Sequence, residues 1–116
     1  MDVVEIEAST HALYASAGNP TSALVHAEQQ VLDWLAWLDE NSPYARANLP
    51  GVRRANGIVV IGTRASLSPR DTERLRWRNV IFGGRLVVLT YDDLVARCQA
   101  LRNLLQEELK DNESLA

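Results

Sequence analysis

Two carboxylates set two residues apart are the sharpest chemical feature of this chain. They lie in Val3-Val-Glu-Ile-Glu7, a β-branched run. Alternate residues of a strand share a face, so Glu5 and Glu7 point the same way. Such a pair suits a hard divalent cation, because Mg²⁺ takes one or two carboxylates and fills its other positions with water. Two solvated acids on an edge strand are the plainer reading of the same residues. Gln29-Gln30 lies on the helical segment that follows. A helical amide brought near such a strand orients a water or a phosphate oxygen, and a solvated helix face is again the plainer alternative. His26 lies one turn before Gln30 on the same face, and His11 lies in the first loop. Each is a base or ligand candidate set against a structural or exposed role.

The second feature is charge segregation. The net charge is −3, yet residues 46–85 hold nine arginines against Asp71 and Glu73, a net of +7. The rest of the chain holds three bases against thirteen acids, a net of −10. A block of this sign suits phosphate or an acidic partner. Pairing with the acids of flanking helices competes with that reading. Arg64, at the C-terminal end of a strand, is well placed to meet a ligand. Arg70, Arg74, Arg76 and Arg78 spread over several faces of one helix. Gly57 to Gly62 lacks the Lys-Ser/Thr of a Walker loop and the spacing of a dinucleotide fingerprint, so these glycines are expected to end a strand.

These groups need a frame. A strand is predicted over 3–6. A loop with turn signals at Gly18, Asn19 and Pro20 follows. Thr21 or Ser22 caps a helix reaching about Asp39. Its apolar residues Leu24, Ala27, Val31, Trp34, Leu35 and Leu38 recur by threes and fours. Val25, Leu32 and Trp37 extend the apolar surface, so burial on more than one side is expected. Residues 40–57 read as irregular, with Pro43, Pro50 and Gly51. The Ile/Val run after Gly57 predicts a buried parallel strand. Ser68 caps a helix over 69–79, with Pro69 at its first position and Asp71 in its first turn. Gly83-Gly84 is a turn, and Arg85–Thr90 a further strand. Asp92 and Asp93 open a last helix over about 92–109, with Leu94, Val95, Cys98, Leu101, Leu104 and Leu105 on its inner face. Residues 110–116 are expected to fray as a polar tail.

The order is β-α-β-α-β-α, which implies an α/β fold with a small, mainly parallel sheet flanked by helices. At 116 residues, with 47% hydrophobic and 23% charged residues, the chain is one globular domain. Disordered, collagen-like and rod-like chains are excluded. The lone Cys98 forms no internal disulfide, and no Cys/His spacing reads as a zinc site. With no signal-peptide pattern and no membrane-length apolar run, a cytoplasmic setting is expected. Three strands leave open edges, so self-association through a sheet edge is expected.

The stretches Gly57-Ile-Val-Val-Ile-Gly-Thr-Arg64, Leu67-Ser-Pro-Arg-Asp71, Leu75-Arg-Trp-Arg-Asn79 and Val88-Leu-Thr-Tyr-Asp-Asp-Leu94 together resemble the C-terminal domain of Shedu anti-phage defence proteins. That domain belongs to the PD-(D/E)XK nuclease superfamily, with a restriction-endonuclease-like core. Upstream, Val3-Val-Glu-Ile-Glu7 is similar to the family's V-x-E-[IL]-K strand, and Ala27-x-x-Gln30-Val-x-Asp-Trp34 to its Gln-bearing helix. The resemblance covers roughly residues 3–105. It implies a single domain over 1–109 that acts as a Mg²⁺- or Mn²⁺-dependent DNA endonuclease. Glu5 matches the metal-binding Glu, Gln30 the helix Gln, and Glu7 stands at the Lys position. From the basic block, Arg64, Arg70 and Arg74 are the expected DNA contacts. Two departures weaken catalysis. The family's metal-binding Asp lies on a strand upstream of Glu5, so the chain is expected to be shortened there, and Glu7 adds negative charge where a Lys would offset it. The alternative is a non-enzymatic interaction or DNA-binding module that keeps the nuclease-like core.

Overall fold

The computed structural model describes residues 2–48 and 55–115. Strands β1 (Asp2–Ile6), β2 (Asn56–Val60) and β3 (Leu86–Leu89) form one parallel sheet in the order β1-β2-β3. Helices α1 (Ser22–Glu40), α2 (Ser42–Asn48), α3 (Pro69–Ile81) and α4 (Tyr91–Leu115) surround it, and Arg64–Ser66 forms one 3₁₀ turn. The small parallel α/β sheet expected from the sequence is present.

Register explains the core. Val3 pairs with Gly57 and Gly57 with Leu86; Glu5 pairs with Val59 and Val59 with Val88. These residues share the face against which α1 packs Leu24, Ala27, Val31 and Leu35, all buried. Gly57 lies inside β2 rather than ending it. A Cβ there would sit 2.2 Å from Val31 Cγ1 and 2.9 Å from Leu86 Cδ1. The missing side chain is what lets α1 lie this close to the sheet. Gly62 does end the strand, at φ +67°.

Each helix start is fixed locally. Thr21 Oγ1 accepts from the Leu24 N–H at 3.3 Å and donates to Ala12 O at 2.7 Å, tying α1 to the preceding loop. Ser68 and Asp71 form a reciprocal capping box at α3, with Pro69 in its first turn. Thr90 and Asp93 repeat that device at α4: the Asp93 N–H donates to Thr90 Oγ1 at 3.3 Å and the Thr90 N–H to Asp93 Oδ2 at 3.1 Å. The cap of the last helix is therefore Thr90, one residue before the expected Tyr-Asp-Asp start.

Four expectations are corrected. Ser42–Asn48 is helical, not irregular, since proline is tolerated in a helix's first turn; Pro50 and Gly51 lie outside the described residues. α1 is buried along one stripe only, with Trp34 57% and Trp37 39% exposed. α4 runs through the stretch read as a tail, and Ala116 lies outside the described residues. Its expected inner face is not inner: Val95, Leu101, Leu104 and Leu105 are exposed, and so is Cys98. Beyond its first turn α4 stands away from the sheet, and the radius of gyration is 17.4 Å, against about 13 Å for a compact chain near this length.

The two sheet edges differ. Beside β3, the Asn79 amide of α3 accepts from the Val88 N–H at 2.8 Å and donates to Val88 O at 3.0 Å. A side-chain amide thus occupies the edge where a further strand would pair. β1 has no such cover among the described residues.

Candidate functional site

Alternation along β1 turns Val3, Glu5 and Glu7 toward α1, all three half-buried, while Val4 and Ile6 face away and are exposed. Gln30 stands over this carboxylate face. The amide is assigned with its nitrogen toward Glu5, because that orientation satisfies both ends of the group. Nε2 donates to Glu5 Oε1 at 2.8 Å and to Oε2 at 3.2 Å, and Oε1 accepts from His26 Nε2 at 3.1 Å. His26 and Gln30 are four residues apart on α1 and so are neighbours on its surface. Sequence reasoning placed Glu5, Glu7 and Gln30 together; the part of His26 in holding the amide is added by the geometry. His11 lies apart, exposed in the loop beneath Gly62. Glu7 continues the ladder. Its N–H donates to Val60 O at 2.8 Å, and its carbonyl accepts from Tyr91 Oη at 2.6 Å. Its backbone is thus held from both sides and its carboxylate stays on the Glu5 face.

The donor set is small. Among the described residues no group of three His, Cys, Asp or Glu side chains gathers as a metal cage. Two carboxylates on one face with a helical amide beside them fit a cation that keeps most of its water, as Mg²⁺ does. They do not form a dehydrated cage. Beside Gln30, a cleft of about 640 Å³ is lined by Asp33, Trp34 and Trp37. Trp34, Trp37 and Tyr44 stack edge to face in sequence, 6.2 and 6.3 Å between ring centres.

The arginines divide into two sets. Among the described residues of the block most pair with acids, some on the flanking helices, as the plainer reading anticipated, and some within α3. Arg78 of α3 makes a two-pronged contact with Glu28 of α1, Arg85 meets Asp39 at 3.4 Å, and Arg76 meets Glu73 at 3.0 Å. Arg64 does not project freely to a ligand. Its side chain pairs with Asp93 and its N–H donates to Asp92 Oδ2 at 2.5 Å, so it closes the α4 N-terminus. Arg70 and Arg74 lie on the far side of α3. They line a cleft with Tyr14 and Trp77, whereas Arg64 lies in a groove with Thr72 and Arg76. The three expected DNA contacts therefore occupy two surfaces. Arg53 and Arg54 lie outside the described residues.

Comparison with family models decides what these elements belong to. The model described as Shedu protein SduA, C-terminal, matches residues 1–95. The chain belongs to that family. The matched span holds β1, the Gln30 helix, β2, α3, β3 and the Thr90 cap, and stops where α4 leaves the sheet. Shedu membership implies a role in anti-phage defence. No curated protein and no solved structure matches the chain. Among the described residues no helix is long and apolar enough to cross a membrane.

One prediction concerns the Asp93 hub of this Shedu domain. Burial disfavours the Asp93 carboxylate, but hydrogen bonds from Thr90 and Arg64 outweigh it and hold the carboxyl below its ordinary 3.8. A carboxyl depressed in the native state stabilises the fold fully above its unfolded pKa. That contribution is lost as pH falls through the native value. Urea midpoints should therefore drop as pH is lowered below about 3.8. Asp93→Asn should be less stable at pH 7 and lose less on acidification, and an unchanged acid slope in that variant would exclude Asp93 as the titrating group.

Proposed function

We propose that this chain is a metal-dependent DNA endonuclease domain of PD-(D/E)XK type acting in anti-phage defence. One observation carries the reading. The Gln30 amide is held between His26 and Glu5, so a helical group is fixed against the strand carboxylate that a nuclease of this type uses. Glu5 and Glu7 would hold Mg²⁺ or Mn²⁺. When bound, such an ion polarises a phosphodiester oxygen and lowers the pKa of water. Gln30 orients Glu5 by donating to its carboxylate, and His26 fixes the direction of that amide by donating to its oxygen. Glu7 takes the place of a Lys, so no cation of the protein stands there to offset transition-state charge. Slow turnover follows from this composition.

The experiment is cleavage of linear and supercoiled DNA with Mg²⁺ or Mn²⁺. Metal-dependent cutting is expected. Gln30→Ala should lower it by about 10–100-fold, the usual effect of removing a group that orients a metal ligand, and Glu5→Ala by more. Absence of cutting at high protein concentration, with the fold intact by circular dichroism, sinks the catalytic reading. A second reading then takes over: a non-enzymatic module that binds DNA or a copy of itself. It is favoured by the absence of a third metal ligand among the described residues and by the exposed apolar side of α4. Edge pairing in that reading uses β1, because Asn79 occupies the β3 edge.

A further inference from the structure

The cleft between α3 and the loop before α1 lies apart from the carboxylate face. It has a volume of about 550 Å³, within the usual range of roughly 300–1,000 Å³ for small-ligand sites. Arg70, Arg74 and Trp77 line it from one side of α3, at positions four and three apart that share a helical face. Arg70 pairs with no acid among the described residues. Arg74 donates to Asp71 through Nη1 alone, at 2.8 Å, leaving its other N–H groups to bond elsewhere. Its guanidinium lies over Gly18, where an added Cβ would meet Cζ at 2.5 Å. The loop turns through φ +91° at Gly18, a conformation that favours glycine. Glu73, also in the cleft, has its charge met by Arg76.

Two further groups distinguish this from a solvated arginine row. Tyr14 is 9% exposed, and its hydroxyl is buried with no hydrogen-bond partner among the described residues. Burial pushes that hydroxyl above its ordinary 10.0, so it stays protonated and can donate. Trp77 is 56% exposed, with the Arg76 guanidinium 5.4 Å from its ring centre. A flat, partly exposed indole beside cations is the surface on which a base stacks.

We propose that this cleft binds a nucleotide-type anion, its phosphate held by Arg70 and Arg74 and its base laid on Trp77. Tyr14 donates to the same ligand. The chemistry is shared by a free nucleotide and by the phosphorylated end of a DNA strand. The site does not depend on Glu5 or Glu7.

The test is calorimetric titration of the whole chain with dAMP, and with a short single-stranded oligonucleotide carrying either a 5′-phosphate or a 5′-hydroxyl. Saturable binding at one site is expected. Arg70→Ala should weaken it about tenfold through loss of a charge-assisted contact, and Trp77→Ala by roughly five- to 100-fold through loss of stacking. Tyr14→Phe keeps the ring packing and should weaken binding several-fold. Binding of dAMP assigns the source to free nucleotide; binding of the 5′-phosphorylated strand alone assigns it to DNA ends. Glu5→Ala should bind like the parent, which separates this site from the fate of the nuclease reading. No binding of either probe at millimolar concentration overturns the proposal, as does binding that Arg70→Ala and Trp77→Ala leave unchanged.

Discussion

Glu28→Ala is expected to lower the melting temperature by on the order of 10 °C, through loss of about 3 kcal/mol. Glu28 is the one charged side chain in the interior of α1, 4% exposed. Arg78 reaches it from α3 with both Nε and Nη2, the first at 2.5 Å. Removing the carboxylate leaves a half-buried guanidinium without its counter-charge, which costs more than the pair contributed when intact. The effect is large beside a total stability of about 5–15 kcal/mol for an ordinary domain. The apolar double replacement Glu28→Leu with Arg78→Met should recover most of the loss, because it removes both desolvation costs together. Thermal melts of the two single variants and the double variant supply the coupling. A shift of under about 2 °C for Glu28→Ala would show that water reaches the pair well enough to make it a surface bridge. The pair also bears on the site. Glu28 fixes the rotation of α1 about its axis, and Gln30, two residues on, projects from the opposite side toward Glu5. Loss of the pair should therefore loosen the amide over the carboxylate as well as the core.

What the sequence made legible follows from what periodicity can encode. The three strands, the alternation that puts Glu5 and Glu7 on one face and the Ser68 cap are local patterns, and the structure contains them. The failures share one cause. An apolar stripe records that a surface is apolar, not what covers it. Leu101, Leu104 and Leu105 recur with helical spacing like the core residues of α1, yet they are exposed, because beyond its first turn α4 stands away from the sheet. Trp34 and Trp37 carry the same ambiguity. Spacing likewise places Arg64 at a strand end but does not show that Asp92 and Asp93, twenty-eight and twenty-nine residues on, engage it. The Thr90–Asp93 box was readable as Thr-x-x-Asp ahead of an apolar run, but the adjacent Asp92 and Asp93 drew the start of the helix past it. The contact of His26 with Gln30 needed only their spacing of four; what it holds in place depends on the strand opposite.

Glu7→Lys is the variant that separates two meanings of this site, and a loss of metal-dependent cleavage of about 100-fold is expected from it, at the upper end of effects seen when metal-site groups are changed. Resemblance alone suggests the reverse, since the substitution restores the family's E-x-K pattern. The geometry argues otherwise. Among the described residues no third carboxylate, histidine or cysteine joins Glu5 and Glu7, so in the proposed metal site Glu7 would be half of the charged donor set. An ammonium group there would repel the cation that the remaining carboxylate must hold alone. The substitution should be tolerated by the fold, because the contacts of Glu7 to Val60 and Tyr91 are made by its backbone. Glu7→Gln keeps the shape and one acceptor oxygen, and should fall between the parent and Glu7→Lys. Titration with Mn²⁺ followed by electron paramagnetic resonance reads the same order without requiring turnover: parent tightest, Glu7→Lys weakest. Faster cleavage by Glu7→Lys, with Mn²⁺ affinity unchanged, would show that Glu7 merely stands in the place of the lysine, and that Glu5 holds the ion with donors other than Glu7.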